Sequence, residues 1–424
     1  PYVCKDEKSA MSTGPFGSSI SSKFFVPEGI PVIRGGNLSQ DTGIRLKHKN
    51  LVFISEEKAA EFARSTVSAG DLVFTCWGTI AQVGLIEEDS FFDKYVISNK
   101  QMKMTPDPAK ADSRFLYYQY SSPRIQKWIL DNGIGSSVPG FNLGMLKEIE
   151  LNLPGLEEQK AIAHILGTLD DKIELNQKMN QTLEDIGKAI FKSWFVDFDP
   201  VRAKAEGRPT GLPSEISDLF PDSFEESELG EIPSGWKALE VKDFCTKIKK
   251  GIPPKYTDIQ THPVINQKCI RNLEINFELC RFTEYKKVME DRYLEEFDIL
   301  LNSMGVGTLG RIALFVKHSA KVVVDGCISV IRGKDKMHGL YLYQSISRRE
   351  KEIINLSQGS TGQTTLKTDD IAGLKLVKPS NNILKLFYES IEVFYKRKHL
   401  NNEEIKVLIG LRDTLLPKLI SGEL

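Results

Sequence analysis

Leu156-Glu157-Glu158-Gln159-Lys160-Ala161-Ile162-Ala163 opens a stretch in which apolar residues return at three- and four-residue spacing: Ile162, Leu166, Leu169, Ile173, Leu183, Ile190 and Trp194. That period is the signature of a helix with one apolar face. Pro154-Gly155 punctuates the chain just before it. About 225 residues later the layout recurs without a gap. Leu376-Val377-Lys378-Pro379 stands where Leu151-Asn152-Leu153-Pro154 stood, Leu400-Asn401 answers Leu175-Asn176, and Leu408 answers Leu183. Phe387, Ile391, Phe394, Ile405, Leu408, Leu415 and Leu419 carry the second apolar face. Each copy predicts a helix of roughly 35 to 40 residues, ~55 Å long at 1.5 Å per residue, which suits a coiled-coil seam. A duplicated unit of this size points to a protein that does one thing twice.

Asn176 and Asn401 are polar residues near the helix midpoints. In antiparallel, centred helices they meet across the seam and fix its register. The competing reading leaves both facing solvent.

What precedes each helix has a different texture. Residues 1 to about 150 are rich in Gly, Ser and short runs such as Leu72-Val73-Phe74-Thr75 and Val83-Gly84-Leu85-Ile86, with turn signals at Pro15-Phe16-Gly17, Gly35-Gly36-Asn37 and Val138-Pro139-Gly140. Such texture predicts short strands with a few helices. A second region of this kind runs from Ile232 to about Lys378, where Phe297-Asp298-Ile299-Leu300-Leu301 leads into Gly307-Thr308-Leu309-Gly310-Arg311-Ile312 as Asp71-Leu72-Val73-Phe74 leads into Gly78-Thr79-Ile80-Ala81-Gln82-Val83. Ile33-Arg34-Gly35-Gly36-Asn37-Leu38 is matched here with Ile270-Arg271-Asn272-Leu273. The expected order is a mixed α/β (α+β) domain over 1–153, a long helix over 154–197, a polar, Pro-rich linker over 198–230, a second mixed domain over 231–378 and a second long helix over 379–424.

Composition narrows the function. The 424 residues with 41% hydrophobic content suit globular domains, and no apolar run approaches the ~20 residues of a membrane span, so no membrane role and a cytoplasmic location are expected. Six scattered cysteines lack metal-ligand spacing and predict ordinary thiols. A formal charge of -1 supplies no global attraction to nucleic acid, so DNA affinity must come from local basic patches or from partner subunits.

Catalytic signatures fail on context. Gly305-Val306-Gly307-Thr308-Leu309-Gly310 satisfies G-x-G-x-x-G, but Ile312-Ala313-Leu314-Phe315-Val316 reads as a strand, leaving no helix N-terminus for a phosphate. Pro253-Pro254-Lys255-Tyr256, preceded by Ile252, lacks the Asn or Asp of a base-holding loop in an amino-methyltransferase. There is no G-x-x-x-x-G-K-[ST] run, and Pro106-Asp107-Pro108-Ala109-Lys110 lacks a nuclease's second acid. A recognition module remains, ahead of a self-sufficient methyltransferase or nuclease and ahead of a bare coiled-coil scaffold.

The residues also carry a resemblance. Leu156 to Ala163, Leu169-Asp170-Asp171-Lys172-Ile173 and Phe195-Val196-Asp197-Phe198-Asp199-Pro200 resemble the central conserved region of type I restriction-modification specificity subunits. Leu411-Arg412-Asp413-Thr414-Leu415-Leu416-Pro417-Lys418-Leu419 and Ser421-Gly422-Glu423-Leu424 resemble the distal one, and Glu231-Ile232-Pro233-Ser234-Gly235-Trp236 resembles the start of a target recognition domain. The first copy opens instead on Pro1-Tyr2-Val3-Cys4, so residues there are expected to be absent or divergent. The resemblance implies two target recognition domains separated by two long antiparallel coiled-coil helices, with pseudo-twofold symmetry and a bipartite DNA target. It implies a noncatalytic chain that binds no cofactor of its own. Two modification subunits would carry S-adenosylmethionine, and restriction subunits ATP and Mg.

Base edges are read by Arg, Asn, Gln, Ser or Thr, and phosphates by Lys, Arg or small-residue loops. Candidates in the first domain are Ser18, Ser19, Lys23, Arg34, Asn37, Thr75, Trp77, Thr79, Gln82, Ser136 and Ser137. In the second they are Lys247, Lys249, Lys250, Lys255, Tyr256, Arg271, Asn302, Ser303, Thr308, Arg311, and Gln358, Ser360, Thr361, Gln363 and Thr364 of one Gly-rich loop, the foremost among them. Against each stands a structural alternative: salt bridges for Arg34 and Arg271, core packing for Trp77, a solvated face for the lysines and plain turns for the Gly/Ser/Thr loops.

Overall fold

A computed structural model describes residues 1–135, 138–284, 287–305, 307–357 and 365–424. The chain divides into two compact units, Pro1–Asn176 with Glu404–Leu424, and Gln177–Glu403. This division cuts across the five segments expected from sequence, because each unit takes one globular domain and part of both long helices.

In the first unit, strands Met11–Thr13, Gln101–Met104, Leu72–Thr75 and Val83–Leu85 form an antiparallel sheet in that order. A second sheet has the order Phe25–Val26, Val52–Ile54, Ile30–Ile33, Tyr95–Ile97, Thr66–Val67, with Ile30–Ile33 and Tyr95–Ile97 parallel. Every residue of Leu72–Thr75 is buried. Alternation along that strand sends Leu72 and Phe74 into a core shared with helix Ser113–Ser121, while Val73 faces Ile33, Tyr95 and Ile97. The first sheet is therefore a middle layer. Asp112 and Ser122 cap the two helices that follow by accepting from Phe115 N and Ile125 N, and Pro123 sits at the first turn of the second, where its missing N–H costs nothing.

The second unit repeats this plan. Its first sheet runs Cys245–Lys250, Ile328–Gly333, Ile299–Asn302, Ile312–Leu314, and its second Tyr256–Thr257, Arg281–Thr283, His262–Ile265, Val323–Val324, with His262–Ile265 and Val323–Val324 parallel as Ile30–Ile33 and Tyr95–Ile97 are. Ile299 and Leu301 join the helix-side core, and Leu300 joins Ile265 and Ala313. One register expected from sequence is corrected. His262-Pro263-Val264-Ile265, not Ile270-Arg271, stands where Ile30-Pro31-Val32-Ile33 stands, since Ile33 pairs with Ile97 as Ile265 pairs with Val324. The Pro-Val-Ile tripeptide carried the true register.

The long helices are Leu156–Phe195 and Asn381–Ser421, of 40 and 41 residues. Within each unit their segments run antiparallel. In the first, Asp170 meets Arg412 and Asn176 meets Glu404; in the second, Asn180 meets Asn402 and Glu184 meets Lys398. Gln159 fastens the start of the first helix to its domain, donating to Lys110 O and Pro154 O and accepting from Asp112 N. Toward the helix middles the seam turns polar: Asn176, Asn180 and Glu184 are buried on one helix and Asn401 on the other. Glu184 takes the buried place beside the expected Leu183, which is half-buried, and Leu175 is exposed. Asn176 and Asn401 are thus inside rather than solvent-facing, and each finds a partner other than the expected asparagine: Asn176 donates to Glu404 at 2.9 Å and Asn401 to Asn180 at 2.8 Å.

Residues 198–230 are not the linker expected. They form helix Asp199–Ala205, a turn at Ser214–Ser217 and strand Phe224–Ser227 paired with Gly230–Pro233. Phe198, Val201 and Phe220 enter the core of the second unit, and Lys204 donates to Ser217 O and Phe220 O. Three apolar anchors outweigh a polar, Pro-rich composition. Pro233-Ser234-Gly235-Trp236 then leads into strand Lys237–Glu240, which pairs with Lys375–Lys378. At the corresponding place of the first unit, residues 150–153 lie outside any strand.

Candidate nucleic-acid interface

In the first unit the turns at one end of the middle sheet enclose a cleft of about 490 Å³. Arg34, Thr75, Trp77, Thr79 and Gln82, five of the candidates, line it together. Strand Ile30–Ile33 delivers Arg34, and the turn between Leu72–Thr75 and Val83–Leu85 delivers the others. Trp77 rests on Gly140, where a Cβ would come 2.6 Å from the indole, yet it stays 44% exposed. Only a glycine lets the ring lie so close. Gln82 accepts from the Thr75 hydroxyl at 2.9 Å and donates to Leu38 O.

Sequence reasoning missed Ser98, Asn99, Lys100 and Gln101, which complete the lining. Their signal was a polar run joining the buried strands Tyr95–Ile97 and Gln101–Met104. Among the described residues no Asp or Glu lines the cleft, whereas Arg34 and Lys100 do.

The other first-unit candidates lie elsewhere. Asn37 is buried and its amide is committed: Oδ1 accepts from Arg34 N, and Nδ2 donates to Lys47 O and Lys49 O. Ser18 and Ser19 occupy a short turn, Gly17–Ile20, in which Ser19 Oγ donates to Phe16 O. Lys23 holds its ammonium 4.8 Å above the Phe24 ring. Ser136 and Ser137 fall outside the described residues.

In the second unit the candidates are more engaged with the fold. Lys249 and Lys247 both bind Asp291, at 2.9 and 3.2 Å, and hold its carboxyl down to about 2. Lys250 lines a small recess beside them. Lys255 pairs with Glu284, and the Arg281 guanidinium lies 3.6 Å over the Tyr256 ring. Burial, and then the Asp325 carboxylate, push the Tyr256 hydroxyl up. Asn302 and Ser303 are fully buried, with Asn302 Nδ2 donating to Gln267 O. Thr308 donates to Gln267 Oε1, and Arg311 to Ile270 O and Gly307 O. Arg271 is exposed, in the hairpin with Glu274–Ile275. Gln358, Ser360, Thr361, Gln363 and Thr364 lie outside the described residues.

Matching hydrogen bonds equate the two sites. Asn37 N donates to Arg34 O as Cys269 N does to Asn266 O, and Thr75 N to Gln82 O as Asn302 N does to Arg311 O. Cys76 N donates to Lys100 O as Ser303 N does to Cys327 O. The Asn37 amide is thereby replaced by the Cys269 thiol, whose sulfur accepts from Asn266 N and lies 3.9 Å from that of Cys280.

Gly305, Gly307 and Gly310 all have positive φ, 106°, 73° and 85°, and lead into strand Ile312–Leu314. The described residues of the G-x-G-x-x-G run, Gly305 and Gly307 to Gly310, therefore lie between strands, without the helix N-terminus that a phosphate site uses. Among the described residues no cluster of three or more His, Cys, Asp or Glu could hold a metal, and no helix is long and apolar enough to cross a membrane.

Comparison with known proteins finds relatives of this chain. The type I restriction modification DNA specificity domain matches residues 17–185. The HindI specificity subunit of Haemophilus influenzae is 27% identical over 381 residues, covering 79% of this chain and 83% of that one. The MjaIX specificity subunit of Methanocaldococcus jannaschii is 27% identical over 323 residues, 74% of this chain and 69% of its own. In fold, the crystal structure of the specificity subunit from M. genitalium aligns with 97% of this chain and 93% of that one at a TM-score of 0.62, with 15% identity. Two like-folded domains and two long helices thus stand beside one pattern of likeness: residues 17–185 match the DNA specificity domain of type I restriction-modification systems, and most of the chain is similar to specificity subunits of that kind.

Proposed function

We propose that this chain supplies the address for a type I restriction-modification complex and performs no chemistry itself. Each globular unit reads one half of a bipartite DNA target, and the paired long helices set the spacing between the halves. The observation that carries this reading is the repetition of the first sheet strand for strand, and of four of the five strands of the second sheet in the same order. Two copies of one recognition plan suit two half-sites on a duplex, whose own symmetry is dyadic.

The long helices also offer docking surface. Leu175, Val407 and Leu411 are exposed on the helix segments of the first unit, and Ile186, Val393 and Leu400 on those of the second. Exposed apolar residues in such number favour protein partners. Two modification subunits, bringing S-adenosylmethionine and adenine methylation, and restriction subunits, bringing ATP, Mg and cleavage, are the proposed occupants. Among the candidate readers that lie in the described residues, the cleft residues of the first unit come first, together with Arg271, Lys250 and Lys255 of the second.

The test is direct. Purified chain incubated with S-adenosylmethionine and duplex DNA should transfer no methyl group until modification subunits are added. Transfer by the chain alone would overturn the subunit reading.

A further inference from the structure

The cleft of the first unit has a chemical bias that its counterpart lacks. Gln101 is wholly buried at the cleft; its Oε1 accepts from Ser98 Oγ, while its Nε2 has no acceptor among the described residues. Arg34 Nε is likewise buried without an acceptor, although a terminal nitrogen of the same guanidinium donates to Asn50 O at 2.9 Å. An unsatisfied buried donor is costly, and two in one cleft with no acid to receive them mark a place for acceptors from outside. Gly35 lies over these donors without a side chain of its own: a Cβ there would stand 3.7 Å from Gln101 Nε2 and 3.8 Å from Gln82 Oε1, in ordinary contact with both. At the equivalent positions the second unit has Gln267 for Gly35 and Ile328 for Gln101. There the opening carries a side chain, and the floor donor is gone.

We propose that this cleft fixes one G·C pair in the half-site of the first unit, with Arg34 and Gln101 donating to O6 and N7 of the guanine. The inference rests on the reading that this unit binds DNA. Guanine alone among the bases sets two acceptors side by side on its major-groove edge, whereas adenine pairs an acceptor with a donor and cytosine offers a donor. A phosphate suits the floor less well. Backbone contacts come from exposed cations, and Lys100, exposed at the rim, fills that role. The exposed face of Trp77 gives the cleft a flat apolar wall beside the donors.

The experiment is selection from a random-sequence duplex DNA library by the full chain, purified with its bound subunits, at several salt concentrations. Gln101→Glu turns the donor into an acceptor. Gly35→Gln plugs the opening with the residue of the second unit, at a position whose φ is not left-handed and whose nearest atoms leave ordinary contact distance. Both should abolish a guanine preference of about tenfold or more at one position of one block, leaving the other block unchanged. If Gln101→Glu fails to fold, Gly35→Gln decides. Variants that keep every preference would overturn the proposal. So would variants that weaken all sequences alike with a shallower salt dependence, since that is the behaviour of a phosphate contact. Wild-type protein that enriches no sequence would instead remove the DNA-reading function beneath the proposal, and the proposal with it.

Discussion

The two units share most of a strand order but differ in what fastens the outer parts of the long helices, beyond the Glu184–Lys398 pair near their middles. In the first, Asp170 is buried between Arg412 at 2.9 Å and the Tyr118 hydroxyl at 2.6 Å, and Arg412 also donates to Thr42 O. Gly43 lies against this pair so closely that a Cβ would come 2.4 Å from the guanidinium. Arg45 and Arg114 extend the network to Glu87 and Asp171. In the second unit the same work falls to aromatic rings: Phe191, Trp194 and Phe195 of one helix pack on Phe387 of the other, and Phe195 also meets Tyr341 of the domain. Tyr395 replaces a carboxylate with a ring edge-on to Tyr343. Joints at matching places of the two units can thus be held by directional ions or by non-directional burial. The ionic version demands every partner, whereas the aromatic version tolerates exchange of like volumes.

Substitutions can break this contrast. Arg412→Ala strands the Asp170 carboxylate in the interior and should cost roughly 3–5 kcal/mol in denaturant unfolding. Phe387→Ala opens a cavity and should cost a similar ~3–5 kcal/mol. What separates them is repair. Asp170→Leu combined with Arg412→Leu should recover most of the loss, because removing both charges removes the desolvation penalty as well. If the double variant is as unstable as Arg412→Ala, the ionic account of the first joint is wrong. Gln159→Ala, which leaves Asp112 N without its acceptor, should cost about 1–3 kcal/mol, read by hydrogen exchange at that amide. Smallest of all, Glu284→Gln breaks the exposed Lys255 pair and should move stability by ~1 kcal/mol or less. Asn176→Leu with Asn401→Leu sharpens the comparison differently. Stability should hold while register or oligomeric state changes, and an unchanged sedimentation profile with unchanged partner binding would remove the register role of these residues.

Much of this molecule could be read from its residues. The long helices, the strands at Leu72–Thr75 and Ile299–Asn302 and the turn character of Gly305 to Gly310 follow from period and punctuation alone. Five of the cleft residues could be named in advance because polar types cluster in its turns. Gln101 could not, since its backbone belongs to a buried strand and only the tertiary fold shows its side chain at the cleft. Asn37 resembled a reader by residue type, but its bonds to Lys47 and Lys49 arise from a turn ten residues away. The seam shifted from Leu183 to Glu184 because adjacent helical positions differ by only 100°, so an apolar and a charged neighbour compete until a partner such as Lys398 decides between them. Residues 198–230 misled because composition averages over a passage, while Phe198, Val201 and Phe220 act singly.

The central claim is that one chain reads two separate DNA blocks, one per unit. A map of methylated adenines in the genome of the host tests it most directly. The account predicts a split motif, two short defined blocks separated by a gap of constant length and undefined sequence. An uninterrupted motif, or a gap whose length varies from site to site, would contradict it.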